Sequence, residues 1–178
     1  MSRQLFGGAI IAELPANITD ASKIRQVPDT QEVFLYNDVA GPFLVVEVLE
    51  RVSEPDDTKA VKFHFEALAH DNDAIASTMQ DPIVKPNERG SQTPSPIVLR
   101  GTQSIRKFNR TAVDQVEILM ALFRVQSEKK SADVVVSTNI PKSSDGQVIV
   151  GEEKAMAITS DFNLMVSSFC IVDYNLFA

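Results

Sequence analysis

The sequence predicts an α/β sandwich: one sheet with helices against both of its faces. Ile118 to Phe123 and Val134 to Val136 are apolar at odd and even positions alike. Side chains of a strand alternate between faces, so such runs belong to a sheet covered on both sides. Ala155, Ile158, Phe162, Met165 and Phe169 recur at intervals of three and four residues, the stripe of a helix that can supply one cover. A chain of 178 residues, 44% hydrophobic and 23% charged, fits a single core. At this length a domain buries about 70% of its unfolded surface and needs no disulfide or metal to fold. Cys170 has no second cysteine to pair with and stands between Phe169 and Ile171, as a small core residue in a reducing compartment would.

The elements follow in order. Ala9 to Leu14 is an extended run stopped by Pro15, and Glu32 to Tyr36 is a second strand. Phe43 to Val52 is read as a third strand on its β-branched content. Asp56 or Asp57 can cap a helix whose inner face holds Val61, His64, Phe65 and Leu68. Residues 70–96 are rich in Asp, Ser, Pro and Asn without periodicity and are expected to form an irregular excursion within the single domain 1–178. Ile97 to Phe108, Val116 to Gln126 and Asp133 to Ile140 read as strands, the last two joined by a polar connection at 127–131 of hairpin length. Glu152 and Glu153 place negative charge at the positive start of the last helix, and Cys170 to Phe177 closes the domain as a short extended tail.

The segment from Asp20 to Phe34 carries polar residues where neither a helix nor a strand would place them for packing. Pro28 fixes its own φ and pushes Val27 out of the helical region, so a short helix begun at Asp20 must stop there. Asp29 and Thr30 then form a turn, and Glu32 arrives as Val33-Phe34-Leu35 starts an extended run. Two carboxylates are thereby displayed at the mouth of a strand. Turn formation and capping alone would account for them, and so would a binding role.

With Leu5-Phe6-Gly7-Gly8-Ala9-Ile10 before it, this segment resembles the Ran guanine nucleotide release factors, the Mog-type nuclear import proteins. The Gly-Gly-Ala opening, Asp20-Ala21-Ser22, Ile24-Arg25 and Val27-Pro28-Asp29-Thr30-Gln31-Glu32-Val33 carry the resemblance. Asp133 to Pro141 and the terminal Asn175-Leu176-Phe177-Ala178 extend it. The resemblance implies a largely antiparallel central sheet with helices on both faces, and Ran as partner. It also implies GTP release from Ran in support of nuclear protein import, a nuclear and cytoplasmic location, and a second Ran-binding protein as a further candidate partner. In the proteins it resembles, the acids at the positions of Asp29 and Glu32 belong to the surface that engages Ran. Asp20 and Arg25 lie on the same segment and are secondary candidates.

The remaining chemistry is sparse. The sequence holds no Gly-x-Ser-x-Gly elbow, phosphate-binding glycine loop or His-Glu-x-x-His helix, and two histidines with one cysteine are too few for a His/Cys metal site. No catalytic role, metal or cofactor is expected. Asp71-Asn72-Asp73 lacks the glycine and glutamate of a calcium loop. His64 and Glu66 form an alternative acid–base pair for a hydrolase, but residues two apart on a helix point in different directions. An adaptor that binds Ran without useful exchange is the other alternative. The formal charge of −7 disfavours nucleic acid and favours a partner with a basic face. No apolar run approaches the roughly 20 residues needed to cross a bilayer, so no membrane partner is expected.

Overall fold

The two most apolar stretches of the chain pair with each other and form the centre of the molecule. In the computed structural model, which describes residues 1–87, 92–106, 111–126 and 130–177, β9 (Val113–Gln126) and β10 (Ser131–Ser144) make a long antiparallel ladder. Its register shifts between Pro141 and Ser143. Pro141 has no amide to donate, and the strand bulges beside it. On the outer side of β10 follow β5 (Phe43–Leu49), β4 (Gln31–Tyr36) and β3 (Ile18–Asp20). Outside β9 lie β8 (Ile97–Arg106) and β6 (Ala74–Met79). Short strands β11 (Gln147–Val148) and β7 (Ile83–Val84) pair with β10 and β8. Every pairing is antiparallel.

The sheet separates two cores, and neighbouring residues alternate between them as strand geometry requires. Ala121, Phe123, Val134 and Val136 face the helix α2 (Glu152–Ser168), against Ile158, Phe162 and Met165. Met120, Leu122 and Val135 face the helix α1 (Asp57–Asp71), against Val61 and Phe65. This is the sandwich expected, antiparallel and covered on both faces. Asp56 caps α1 by accepting from the amides of Thr58 (2.9 Å) and Lys59 (3.0 Å). The start of α2 has Gly151 at its cap, with Glu152 and Glu153 in the first turn to meet the helix dipole. Phe169 leaves α2 in an extended conformation and stacks on Phe123 at 4.2 Å between centroids. Gly101 permits close packing on the α1 side: a Cβ there would lie 2.5 Å from both Phe65 Cζ and the Thr78 carbonyl.

Several elements differ from the sequence expectation. A second sheet joins β1 (Ser2–Leu5), β2 (Ile10–Glu13) and β12 (Cys170–Ile171). The C-terminal tail is therefore extended only over two residues, and Tyr174–Phe177 turns into a 3₁₀ helix. Cys170 is half-buried, because the strand alternation that turns Phe169 and Ile171 inward turns Cys170 the other way. Residues 70–96 are not irregular throughout, since β6 and β7 lie within them. Both are largely exposed edge strands with no buried face to impose alternation. Strand β5 ends at Leu49 rather than Val52, while β9 and β10 run beyond the limits expected. Phe108 and the 127–129 portion of the expected hairpin lie outside the described residues.

Candidate functional site

Asp20 and Gln31 lie at the two ends of a loop whose flanking strands are paired, with Asp20 opposite Phe34 in the β3–β4 ladder. The Asp20 carboxylate accepts from the Ser22 amide at 2.8 Å and starts a 3₁₀ turn over Ala21–Lys23. Ala21 is fully buried and anchors the loop, and its carbonyl accepts the amides of both Ile24 and Arg25 at 2.9 Å. Pro28 then ends this turn and begins another, in which the Gln31 amide donates to the Pro28 carbonyl at 2.9 Å. Between these fixed points Lys23, Ile24, Arg25 and Asp29 are exposed. Asp29 makes no side-chain hydrogen bond or ion pair among the described residues, so its carboxylate is available to a partner.

Glu32 is placed differently from the strand-mouth display expected of it. It is half-buried, and its Oε1 accepts the Phe6 amide at 2.7 Å. Phe6, Gly7 and Gly8 all have positive φ, at 49°, 65° and 97°. Glycine takes such angles without strain, and the Phe6 amide finds its acceptor in a carboxylate 26 residues away. One bond thus joins the two most distinctive blocks of the sequence. Asp20, Arg25 and Asp29 share the loop surface, while Glu32 sits at its base with one oxygen already engaged.

Ile24 enters the sequence reading only through the family resemblance and not as a candidate site residue, yet it is 68% exposed in the middle of the polar loop. An isolated isoleucine between Lys23 and Arg25 carries no pattern that distinguishes it from a core residue.

His64 does not pair with Glu66, which is exposed. The imidazole is buried and its Nε2 lies 2.8 Å from Asp133 Oδ2. Asp133 also accepts from the Val52 amide (3.1 Å) and from Arg124 Nε (3.2 Å). Arg124 donates onward to the carbonyls of Glu54 (2.7 Å) and Val52 (2.9 Å) and to Asp57 (3.1 Å). Burial pushes the Asp133 carboxyl up, but the bonds from His64 and Val52 and the charge of Arg124 outweigh it and hold the group below its usual range. The network ties β9 and β10 to the start of α1. On the opposite face burial raises both the Tyr36 hydroxyl and Asp161, which are bonded at 3.2 Å.

The family model described as "Mog1: Ran-interacting Mog1 protein" matches residues 3–141, which include the whole loop and its Phe6 seat. The chain belongs to the Mog1 family. Within that family it is 32% identical to the Danio rerio "Ran guanine nucleotide release factor", over 99% of this chain and 100% of the relative. It is 29% identical to the Saccharomyces cerevisiae "Nuclear import protein MOG1", over 98% of this chain and 84% of that one. A solved structure of a Mog1 point mutant superimposes with a TM-score of 0.72 at 24% identity, covering 100% of this chain and 98% of the other, and has the same fold.

Proposed function

We propose that this chain binds the GTPase Ran through the Asp20–Glu32 loop and promotes release of its nucleotide in support of nuclear protein import. The observation that carries the reading is the uncommitted Asp29 carboxylate on a loop braced at Asp20, Ala21, Pro28 and Glu32, inside the matched family region. A relative over nearly the full length is named for nucleotide release from Ran, and another for nuclear import. The chain accordingly works in the nucleus and the cytoplasm, as a regulator of a GTPase.

A small GTPase holds its nucleotide through Mg²⁺, a phosphate loop and a lysine. A protein that binds the nucleotide-free form more tightly than the loaded form weakens nucleotide binding by the same factor, because linkage is reciprocal. Asp29 can pair with a basic group of the GTPase, and Arg25 with an acidic one. Glu32 holds the Gly7-Gly8 turn in place and retains a second oxygen for a partner. His64, with its Nε2 engaged by Asp133, gives the hydrolase alternative no support.

Release of a fluorescent nucleotide from loaded Ran tests the reading. The wild-type chain should accelerate release and Asp29→Ala should not. Binding without any change in rate would make the chain an adaptor, and absence of binding would remove Ran as the partner.

A further inference from the structure

A groove opens beside β5, the strand to which the Asp29 turn is bonded. The Val48 amide donates to the Thr30 carbonyl at 2.9 Å, and Gln31 Nε2 donates to Glu47 Oε1 at 2.6 Å. These bonds tie the turn to β5, and beyond β5 lies a hollow of about 360 Å³ between that strand and α1. Its floor is apolar, formed by Leu49, Val52, Leu68 and Met120. Glu47 and Glu50 stand on the strand side and Asp71 on the helix side. A second hollow continues past Phe63 along Val52, Glu54 and Pro55. The residues lining the two include four carboxylates and no lysine or arginine. Lys59, one turn before Phe63, is not among them, and Lys62 reaches toward Asp81 at 3.7 Å.

Phe63 is the unexplained residue. It is 53% exposed and packs edge-on against His64, with centroids 5.8 Å apart. The core beneath α1 is completed by Ala60, Val61 and Phe65 without it. A half-exposed aromatic beside an apolar floor and a charged rim has the composition of a binding hot spot.

We propose that this groove is a second arm of the partner surface and takes a lysine- or arginine-bearing segment of the GTPase. This rests on the Ran reading above. One apolar side chain of that segment sits against Phe63 and Leu68, and its basic groups meet Glu47, Glu50 and Asp71. Charge complementarity selects a basic occupant, since the four lining carboxylates repel an acidic one and the nearby Arg124 is buried beneath Val52 and Glu54 with its charge engaged by Asp57 and Asp133. Continuity selects the partner proposed for Asp29, because Gln31 at the end of the turn is bonded to Glu47 on the rim of the groove.

Calorimetric binding to nucleotide-free Ran decides the matter, with wild type, Asp29→Ala, Phe63→Ser and Glu50→Lys compared after a circular-dichroism check of folding. Glu50 is exposed, so its variant keeps the test valid should Phe63→Ser disturb His64. Each groove variant should bind about tenfold more weakly, the equivalent of roughly 1.4 kcal/mol. A photoreactive benzoylphenylalanine at Phe63 should cross-link to a Ran peptide containing lysine or arginine. If wild type binds, Asp29→Ala binds poorly and both folded groove variants match wild type, the groove proposal falls and the Ran reading stands. If wild type does not bind Ran, both fall. A cross-link to a second copy of this chain also overturns the proposal.

Discussion

Among the described residues, removing the Asp29 carboxylate takes away no hydrogen bond or ion pair, whereas removing that of Glu32 orphans the Phe6 amide. Asp29→Ala should therefore stay within about 0.5 kcal/mol of wild-type stability while losing about 2 to 5 kcal/mol of Ran binding. Glu32→Ala should lose about 1 to 3 kcal/mol of stability in urea denaturation, and Glu32→Gln should recover part of it by restoring an acceptor. Equal stability of wild type and Glu32→Ala would mean that the Phe6 bond contributes nothing. The turn at Asp29 was legible because proline dictates local geometry. The seat of Glu32 was not, because its partner is a distant backbone amide in a stretch of positive φ, which leaves no mark near residue 32. The partner of His64 was hidden for the same reason: Asp133 lies on a strand 69 residues away.

Helix α2 was legible because its stripe repeats at the helical period and buries Ala155, Ile158, Phe162 and Met165. Truncating Phe162 to alanine should cost about 3 to 5 kcal/mol, measured by chemical denaturation. An unchanged midpoint would place that side chain outside the core. Strands β6 and β7 escaped notice since exposed or very short strands show no alternation. The union of β9, β10 and α1 through Asp133 makes a pH prediction. Its carboxyl is held below the ordinary value in the fold, so the stability it contributes is fully present above about pH 4 and is lost as pH falls through the folded value. Acid titration of unfolding should show this loss in wild type. Asp133→Asn should lack that component and should be less stable at neutral pH by about 1 to 3 kcal/mol, because Arg124 loses the buried one of its two carboxylate partners and keeps only the more exposed Asp57. Identical acid profiles would refute it.

At the scale of the molecule, the covered sheet and the acidic balance could be read from sequence, while the groove beside α1 could not, because it is made by residues from four separate stretches. The formal charge of −7 predicts that association with a basic face of Ran slows as salt rises, since screening contracts from about 10 Å at 0.1 M to 3 Å at 1 M. Stopped-flow mixing should show the on-rate falling while dissociation changes less, and a salt-independent on-rate would exclude electrostatic steering. The same charge has a further consequence for β6. That strand, Ala-Ile-Ala-Ser-Thr-Met, forms one border of the large sheet with no charged residue along it. Such borders template the addition of another strand unless something keeps copies apart. Here the keeper is mutual repulsion, which vanishes near the isoelectric point of about 4.8. Light scattering should rise as the solution is acidified toward that value, and Ser77→Lys, which sets a cation on the exposed border, should keep the protein in solution there.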